Sequence, residues 1–240
     1  SAADLIRVAS RRGNLMAEAA QTPGSMTAVT GSIDAVRTIV ERSAADVVIA
    51  NHNSPRQVVL SGPTEAIERV EADLHAAGFA AKRLPVATAF HSPVVSAASA
   101  AFLDYLGDVA FAGPVVPVYS NEMAEPYAGG DAAMRTQVAR QLSQSVRFVE
   151  MIEEMYAQGA RTFVEIGPSA VLTGLIGTIL DGRDHRAIPL DKKGRNGVVT
   201  FYDAIGQLAA AGVEMQLDAL WREYGEMTNP HDIPRPKLAI

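Results

Sequence analysis

Among the five histidines of this 240-residue sequence, His91 stands where proton transfer could be put to use. Ser92-Pro93 reads as a helix start, a capping hydroxyl followed by proline at the first helical position. His91 therefore sits between a strand-like exit and a helix N-terminus, whose positive end favours the neutral imidazole of a general base. A histidine between apolar neighbours also reads as structural. The other four are placed less well: His52 in a turn-rich connection, His75 on a helix, His185 and His231 in polar loops. No two have H-x-x-x-H spacing, so no metal is expected. Two more polar residues fall where apolar ones belong. Over residues 3–20, helical spacing gathers Leu5, Val8, Ala9, Leu15, Met16 and Ala19 on one face, with Arg12 near its middle. Such an arginine needs an anion or acceptors, though a salt bridge or a snorkelling side chain would also satisfy it. Gln141 shares the inward face of its helix with Met134 and Val138 and needs partners, which an ordinary core position would also supply. The sequence lacks a nucleophile elbow: Gly-x-Ser-x-Gly occurs nowhere, Ser169 in GPSAV lacks the second glycine, and Ser92 adjoins His91 too closely to face it.

The elements that must position these residues change rhythm along the chain. After the first helix, MTAVTG reads as a strand, Ser32 caps a helix through Ala44, and DVVIA and QVVLSG read as strands of a hairpin joined by NHNSPR. A second helix starts at Thr64, and FAAKRLPV supplies a last strand. This β-α-β-β-α-β order is that of a ferredoxin-like unit, inserted in a larger domain. Beyond it, VPVYSN (116–121) reads as a strand, with helices over 131–146 and 148–157, TFVEIG (162–167) as a buried strand, then the helix AVLTGLIGTIL and a short strand AIPL. Strands alternating with helices imply α/β class and a parallel sheet. One more helix (Phe201–Ala211), an isolated LDALW and the proline-bearing tail NPHDIPRPKLAI read as a linker.

Composition narrows the field. Twenty-one basic against 27 acidic residues leave a net charge of −6, which argues against nucleic-acid binding and a basic membrane patch. Hydrophobic residues make up 48%, the mark of a globular chain. With no cysteine, thiolate metal sites, disulfides and a thiol nucleophile are excluded. No apolar run approaches a membrane span and no signal peptide precedes the first helix, so the expected location is the cytoplasm.

NHNSPRQVVLSGP, LPVATAFHSPVV, VYSN, ARQL with SQSVRF, and FVEIGPSAVLTGLI resemble successive blocks of malonyl-CoA:acyl-carrier-protein transacylases, including the acyltransferase domains of polyketide and fatty-acid synthases. The resemblance implies an α/β-hydrolase-like large subdomain over 1–24 and 87–190, a ferredoxin-like small subdomain over 25–86, and a post-acyltransferase linker over 191–240. It also implies a ping-pong transfer of malonyl from malonyl-CoA, through a serine of a Gly-His-Ser-x-Gly elbow, to the phosphopantetheine of an acyl carrier protein. His91 in AFHS then holds the position of the general base and acid. Arg12 in RRGNLM holds that of the clamp on the malonyl carboxylate. Gln141 in RQL matches a glutamine whose backbone carbonyl orients the histidine. Phe90 resembles the aromatic associated with malonyl over branched units, although Thr88 departs from the family's usual histidine. No permanent cofactor is implied. The serine-bearing segment is expected upstream of this chain, as a partner together with neighbouring synthase domains. The linker and NHNSPRQ suggest a large iterative synthase of enediyne or polyunsaturated-fatty-acid type.

Two other readings stay open. A non-catalytic carrier-protein docking module would tolerate loss of His91 and Arg12. A ligand-binding regulatory domain would use the ferredoxin-like sheet, but no glycine-rich loop there supports it.

Overall fold

Between residues 24 and 83 the hydrophobic period switches between two and about 3.6, the periods of strand and helix. The computed structural model, which describes residues 1–19, 23–43, 45–86 and 88–222, resolves this stretch into β1 (Gly24–Thr30), α2 (Ile33–Ser43), β2 (Val48–Ser54), β3 (Gln57–Pro63), α3 (Thr64–Ala76) and β4 (Ala80–Arg83). The four strands form one antiparallel sheet in the order β2-β3-β1-β4. Alternation along the strands assigns each side chain a face. Val29, Val58 and Leu60 pack with Val36, Ile39, Val40, Ile67, Val70 and Leu74 of α2 and α3. Met26, Ala50 and Val59 point to the opposite face, where Leu84, Val86 and Phe90 cover them. Gly24 is needed where β1 begins: a Cβ there would stand 2.6 Å from the backbone nitrogen of Ala89, so only glycine lets the two chains pass so closely.

Helix α1 (Ala2–Ala19) packs on α4 (Ser96–Leu106) and the end of α5 (Asp131–Arg140), burying Leu15 with Ala98, Phe102, Leu106, Ala139 and Leu142. A third cluster joins α6 (Phe148–Ala157) and α7 (Val171–Ile179) through Phe148, Met151, Ile152, Ile176 and Ile179. Strand β5 (Thr162–Glu165) pairs with β6 (Arg186–Pro189). Glu165 closes the start of α7, accepting from the backbone N–H groups of Val171 (3.1 Å), Leu172 (3.1 Å) and Thr173 (2.7 Å) and from the Thr173 hydroxyl (2.6 Å). It thereby satisfies donors that a helix start leaves unpaired.

Several local expectations are corrected. Residues 116–121 form no strand, only an isolated bridge between Tyr119 and Pro126. A strand needs a ladder, and Val116 and Val118 are exposed. The hairpin connection is shorter than NHNSPR, because β2 runs on to Ser54 and holds His52 in the strand. The helix from 131 stops at Arg140, where the following carbonyls turn toward other donors. In α1, Leu5 is 70% exposed and Ala9 is exposed, so only the later part of the apolar face packs. Besides the antiparallel sheet, the described residues form only the two-stranded β5-β6 sheet, with Val164 and Ile166 exposed, in place of the buried strand and larger parallel sheet expected there. Among the described residues no helix is long and apolar enough to cross a membrane.

The chain divides into two compact units, Ser1–Glu165 with Val171–Ala187, and Ile166–Ala170 with Ile188–Ile240. In the second, α8 (Gly197–Ala210) starts four residues earlier than its periodicity suggests, because Asn196 Oδ1 accepts from the Val199 N–H at 3.2 Å. A short 3₁₀ turn (Leu217–Leu220) precedes Trp221, which stacks on Tyr202 with ring centroids 6.0 Å apart. The tail 229–240 lies outside the described residues.

Candidate active site

The chain turns just beyond α5, where carbonyls that no longer have helical donors need others, and here His91 supplies them. Its ring Nδ1 donates to both the Gln141 carbonyl and the Gln144 carbonyl, each at 3.1 Å, and its backbone N–H donates to the Leu142 carbonyl at 3.2 Å. Carbonyl oxygens only accept, so Nδ1 carries the proton and Nε2 keeps its lone pair. No partner engages Nε2 among the described residues. His91 reaches these three acceptors with φ of +56°, a left-handed conformation that costs a non-glycine residue roughly 1–2 kcal/mol. The segment around it holds it there. Ser92 Oγ donates to the Ala89 carbonyl at 2.6 Å and accepts from the Val94 N–H at 3.3 Å, capping the short turn that leads into α4.

Burial is the main influence on the imidazole and pushes its pKa below 6.5. The two carbonyl hydrogen bonds act in the opposite sense, and the positive charge of Arg12 lowers it further. The ring is thus neutral at neutral pH with Nε2 available, the state of a general base. Arg12 itself is exposed on α1 and has no ion-pair partner among the described residues, whereas Arg11 pairs with Glu18 and Arg7 with Asp4. Its electrostatic effect on His91 follows from the packing of α1 against α4 and Leu142.

Gln141 is half-buried, and its side chain serves a second purpose. The amide oxygen accepts from the Glu122 N–H (2.8 Å), the Asn121 N–H (3.2 Å) and the Ser120 hydroxyl (3.0 Å). Phe90 is half-buried against the free face of the sheet, and its carbonyl accepts from Ser61 Oγ at 2.7 Å. His91 and Gln141 thus meet at one turn with Phe90 beside them, and Arg12 acts on the ring through its charge. Gln144 and Leu142 went unrecognised in the sequence because they act through main-chain carbonyls, which no residue type announces. The Ser92 hydroxyl beside His91 is engaged as above and is no free nucleophile; in the second unit the Ser169 N–H donates to Asp191 at 3.0 Å. His52 lies in β2 and contacts Glu150 at 3.0 Å. Among the described residues no group of three or more histidine, aspartate or glutamate side chains stands together as a metal site.

Comparison with known proteins gives this geometry a context. Residues 1–215 match the family described as acyl transferase domain. The Escherichia coli malonyl CoA-acyl carrier protein transacylase is 38% identical over 186 residues, 75% of this chain and 59% of that protein. One of the polyunsaturated fatty acid synthase polypeptides of Thraustochytrium is 34% identical over 220 residues, 89% of this chain and 8% of that protein. The crystal structure of the acyltransferase domain from the second module of the salinomycin polyketide synthase superposes with a TM-score of 0.81 at 31% identity, covering 95% of this chain and 54% of that one. This chain spans between about half and three-fifths of the stand-alone transacylase and the solved domain. With nine-tenths of its residues matched in order, the chain belongs to the acyl transferase domain family.

Proposed function

We propose that this chain is the histidine-bearing part of a malonyl-selecting acyltransferase domain of a polyketide or related synthase, and that it moves malonyl from malonyl-CoA to the phosphopantetheine thiol of an acyl carrier protein. The observation that carries this reading is the neutral His91 with its proton fixed on Nδ1 by two carbonyls and its Nε2 free. In the first half-reaction Nε2 takes the proton of a serine hydroxyl as the serine oxygen attacks the thioester carbonyl. The proton then passes to the departing CoA thiolate. In the second, Nε2 takes the proton of the phosphopantetheine thiol, whose sulfur attacks the acyl-serine ester, and returns it to the serine oxygen. The Gln141 carbonyl orients the ring. Arg12, exposed and without an anionic partner among the described residues, holds the malonyl carboxylate. Phe90, fixed by Met26, Ala50 and Val59, walls the pocket where a branched unit would carry its methyl group, worth about 1–3 kcal/mol of discrimination.

The serine belongs to a segment upstream of these residues. The greater length of the relatives and the engaged hydroxyl of Ser92 support this. Exposed apolar residues of this chain, Leu5 and Ile6 on α1, then meet that segment. In this reading residues 25–86 are a ferredoxin-like subdomain inserted in an α/β-hydrolase-like one, which spans 1–24 and 87–190, and 191–240 form the linker to further synthase domains. The carrier protein is the partner, no cofactor is permanently bound, and the work is done in the cytoplasm.

The test is denaturing mass spectrometry after the protein is incubated with malonyl-CoA, then with holo carrier protein. A malonyl increment on an upstream serine, discharged to the carrier by wild type but not by His91→Ala, is expected. An increment retained on this chain's own serines would overturn the upstream nucleophile, and transfer undiminished in His91→Ala and Arg12→Ala would replace the proposal with the docking-module reading.

A further inference from the structure

The turn that presents two carbonyls to His91 is itself held from behind by a buried carboxylate. Glu122 is 9% exposed, yet its Oε1 meets Nη2 of Arg140 at 2.5 Å, and its Oε2 has no hydrogen-bond partner among the described residues. A pair with a buried carboxylate and an exposed guanidinium is weak support for stability, because solvent screens the arginine while the carboxylate loses hydration. Its consequence lies in geometry. Arg140 is the last residue of α5, and the next residue, Gln141, sends its amide oxygen to the same loop, accepting from the N–H groups of Asn121 and Glu122. From the other side of the turn, Arg147 donates its N–H to the Asn121 carbonyl at 2.8 Å and its guanidinium to the Met123 carbonyl at 3.2 Å. The 120–123 loop therefore grips the end of α5 through two successive side chains. The main chain of the same turn meets the histidine at Gln141 and Gln144. Helix ends fray unless such contacts fix them.

We propose that Glu122 is a positioning residue for His91: by pairing with Arg140 beside the Gln141 clasp, it fixes the C-terminal turn of α5 so that the carbonyls of Gln141 and Gln144 share the ring proton. The geometric part stands on the contacts above. Its effect on turnover rests on the acyltransferase reading.

The experiment is nuclear magnetic resonance of the histidine rings in the 240-residue chain, following solvent exchange of the His91 Nδ1 proton. In Glu122→Gln that exchange is expected to quicken roughly tenfold, the worth of about one hydrogen bond, and to return toward the wild-type rate in Glu122→Asp. Arg83→Gln, which breaks the ion pair between β4 and Glu71 of α3, is expected to leave it unchanged. Should Glu122→Gln not fold, Arg140→Gln removes the same pair from its half-exposed side and carries the same expectation. Folded variants of Glu122 and Arg140 that keep the exchange rate within about twofold of wild type would overturn the proposal. So would an equal change in Arg83→Gln, because that is the signature of general destabilisation. In the complete acyltransferase, kcat of Glu122→Gln is expected to fall with KM unchanged. A disturbed ring with undiminished turnover would retain the clasp and remove His91 from the acid-base role, so the two failures are distinguishable.

Discussion

The backbone N–H of His91 donates to the carbonyl of Leu142 at 3.2 Å, and the side chain of that same leucine is buried among α1 and α4. One residue thus ties the histidine to the helical core: its carbonyl sets where the ring begins, and its side chain sets where the carbonyl can be. Leu142→Ala is expected to cost about 2–5 kcal/mol of stability through the cavity it leaves. It is also expected to loosen the left-handed backbone at His91. Urea denaturation gives the first quantity, and amide exchange at His91 the second.

Arg12 and His91 are coupled through charge. The guanidinium lowers the imidazole pKa, so Arg12→Ala is expected to raise it, visible as an upward move of the ring titration. If Arg12 also grips the malonyl carboxylate, the same variant raises KM for malonyl-CoA roughly tenfold to a hundredfold and leaves transfer of an uncharged acyl group nearly untouched. Equal effects on both substrates would remove the carboxylate role and leave only the influence on His91.

The pH dependence has a definite sign. His91 is held below 6.5 mainly by burial, so the neutral form persists in mildly acidic solution. The acid limb of kcat/KM is expected below 6.5. Because the folded value is the lower one, this group's contribution to stability is complete above 6.5 and is lost as pH falls through the folded value. Rates and denaturation midpoints measured across that range check both statements.

Glu165 offers a second pH-linked test, away from the histidine. Burial raises its pKa, but the hydrogen bonds from Thr173, Leu172 and Val171 outweigh that effect and hold it below 4.5. The stability it confers is complete above 4.5 and is lost as pH falls through the lower folded value. Glu165→Ala is expected to cost roughly 1 kcal/mol, the size of a lost helix cap. The deficit should shrink in acid.

Gly24→Ala is expected to destabilise by about 1–3 kcal/mol, because its methyl group meets the backbone of Ala89 and neither chain has room to give. Thermal denaturation measures the cost. The accompanying shift of residues 89–91 is read from the ring signals of His91.

Much of this architecture was legible in the residues. The βαββαβ order of residues 24–83 follows from alternation at Met26–Val29 and Val58–Leu60 and from helical spacing at Val36, Ile39, Val40 and Ile67, Val70, Leu74, where both periods bury continuous faces. His91 was visible through its type and through the Ser92-Pro93 start behind it. The rest hid for physical reasons. Gln144 and Leu142 act through the main chain, where residue identity leaves no trace. The 116–121 segment has strand-like residues but no ladder partner, and β propensity reports little more than fit to a half-buried surface. The end of α5 came six residues early because carbonyls that a longer helix would have used are taken by His91. Glu122 reads as an ordinary acidic residue until folding places Arg140 against it.

The outer strand β2 does not end at open solvent. His52 N–H donates to the Val146 carbonyl and Val146 N–H to the Ala50 carbonyl, both at 2.8 Å, while Ser145 Oγ covers the Ile49 carbonyl at 2.6 Å. At the other margin β4 is only four residues long and carries Lys82 and Arg83. Short, charged or occupied margins deny a template to a passing strand. A sheet otherwise suited to adding strands from other molecules is thereby guarded against fibre-like self-assembly.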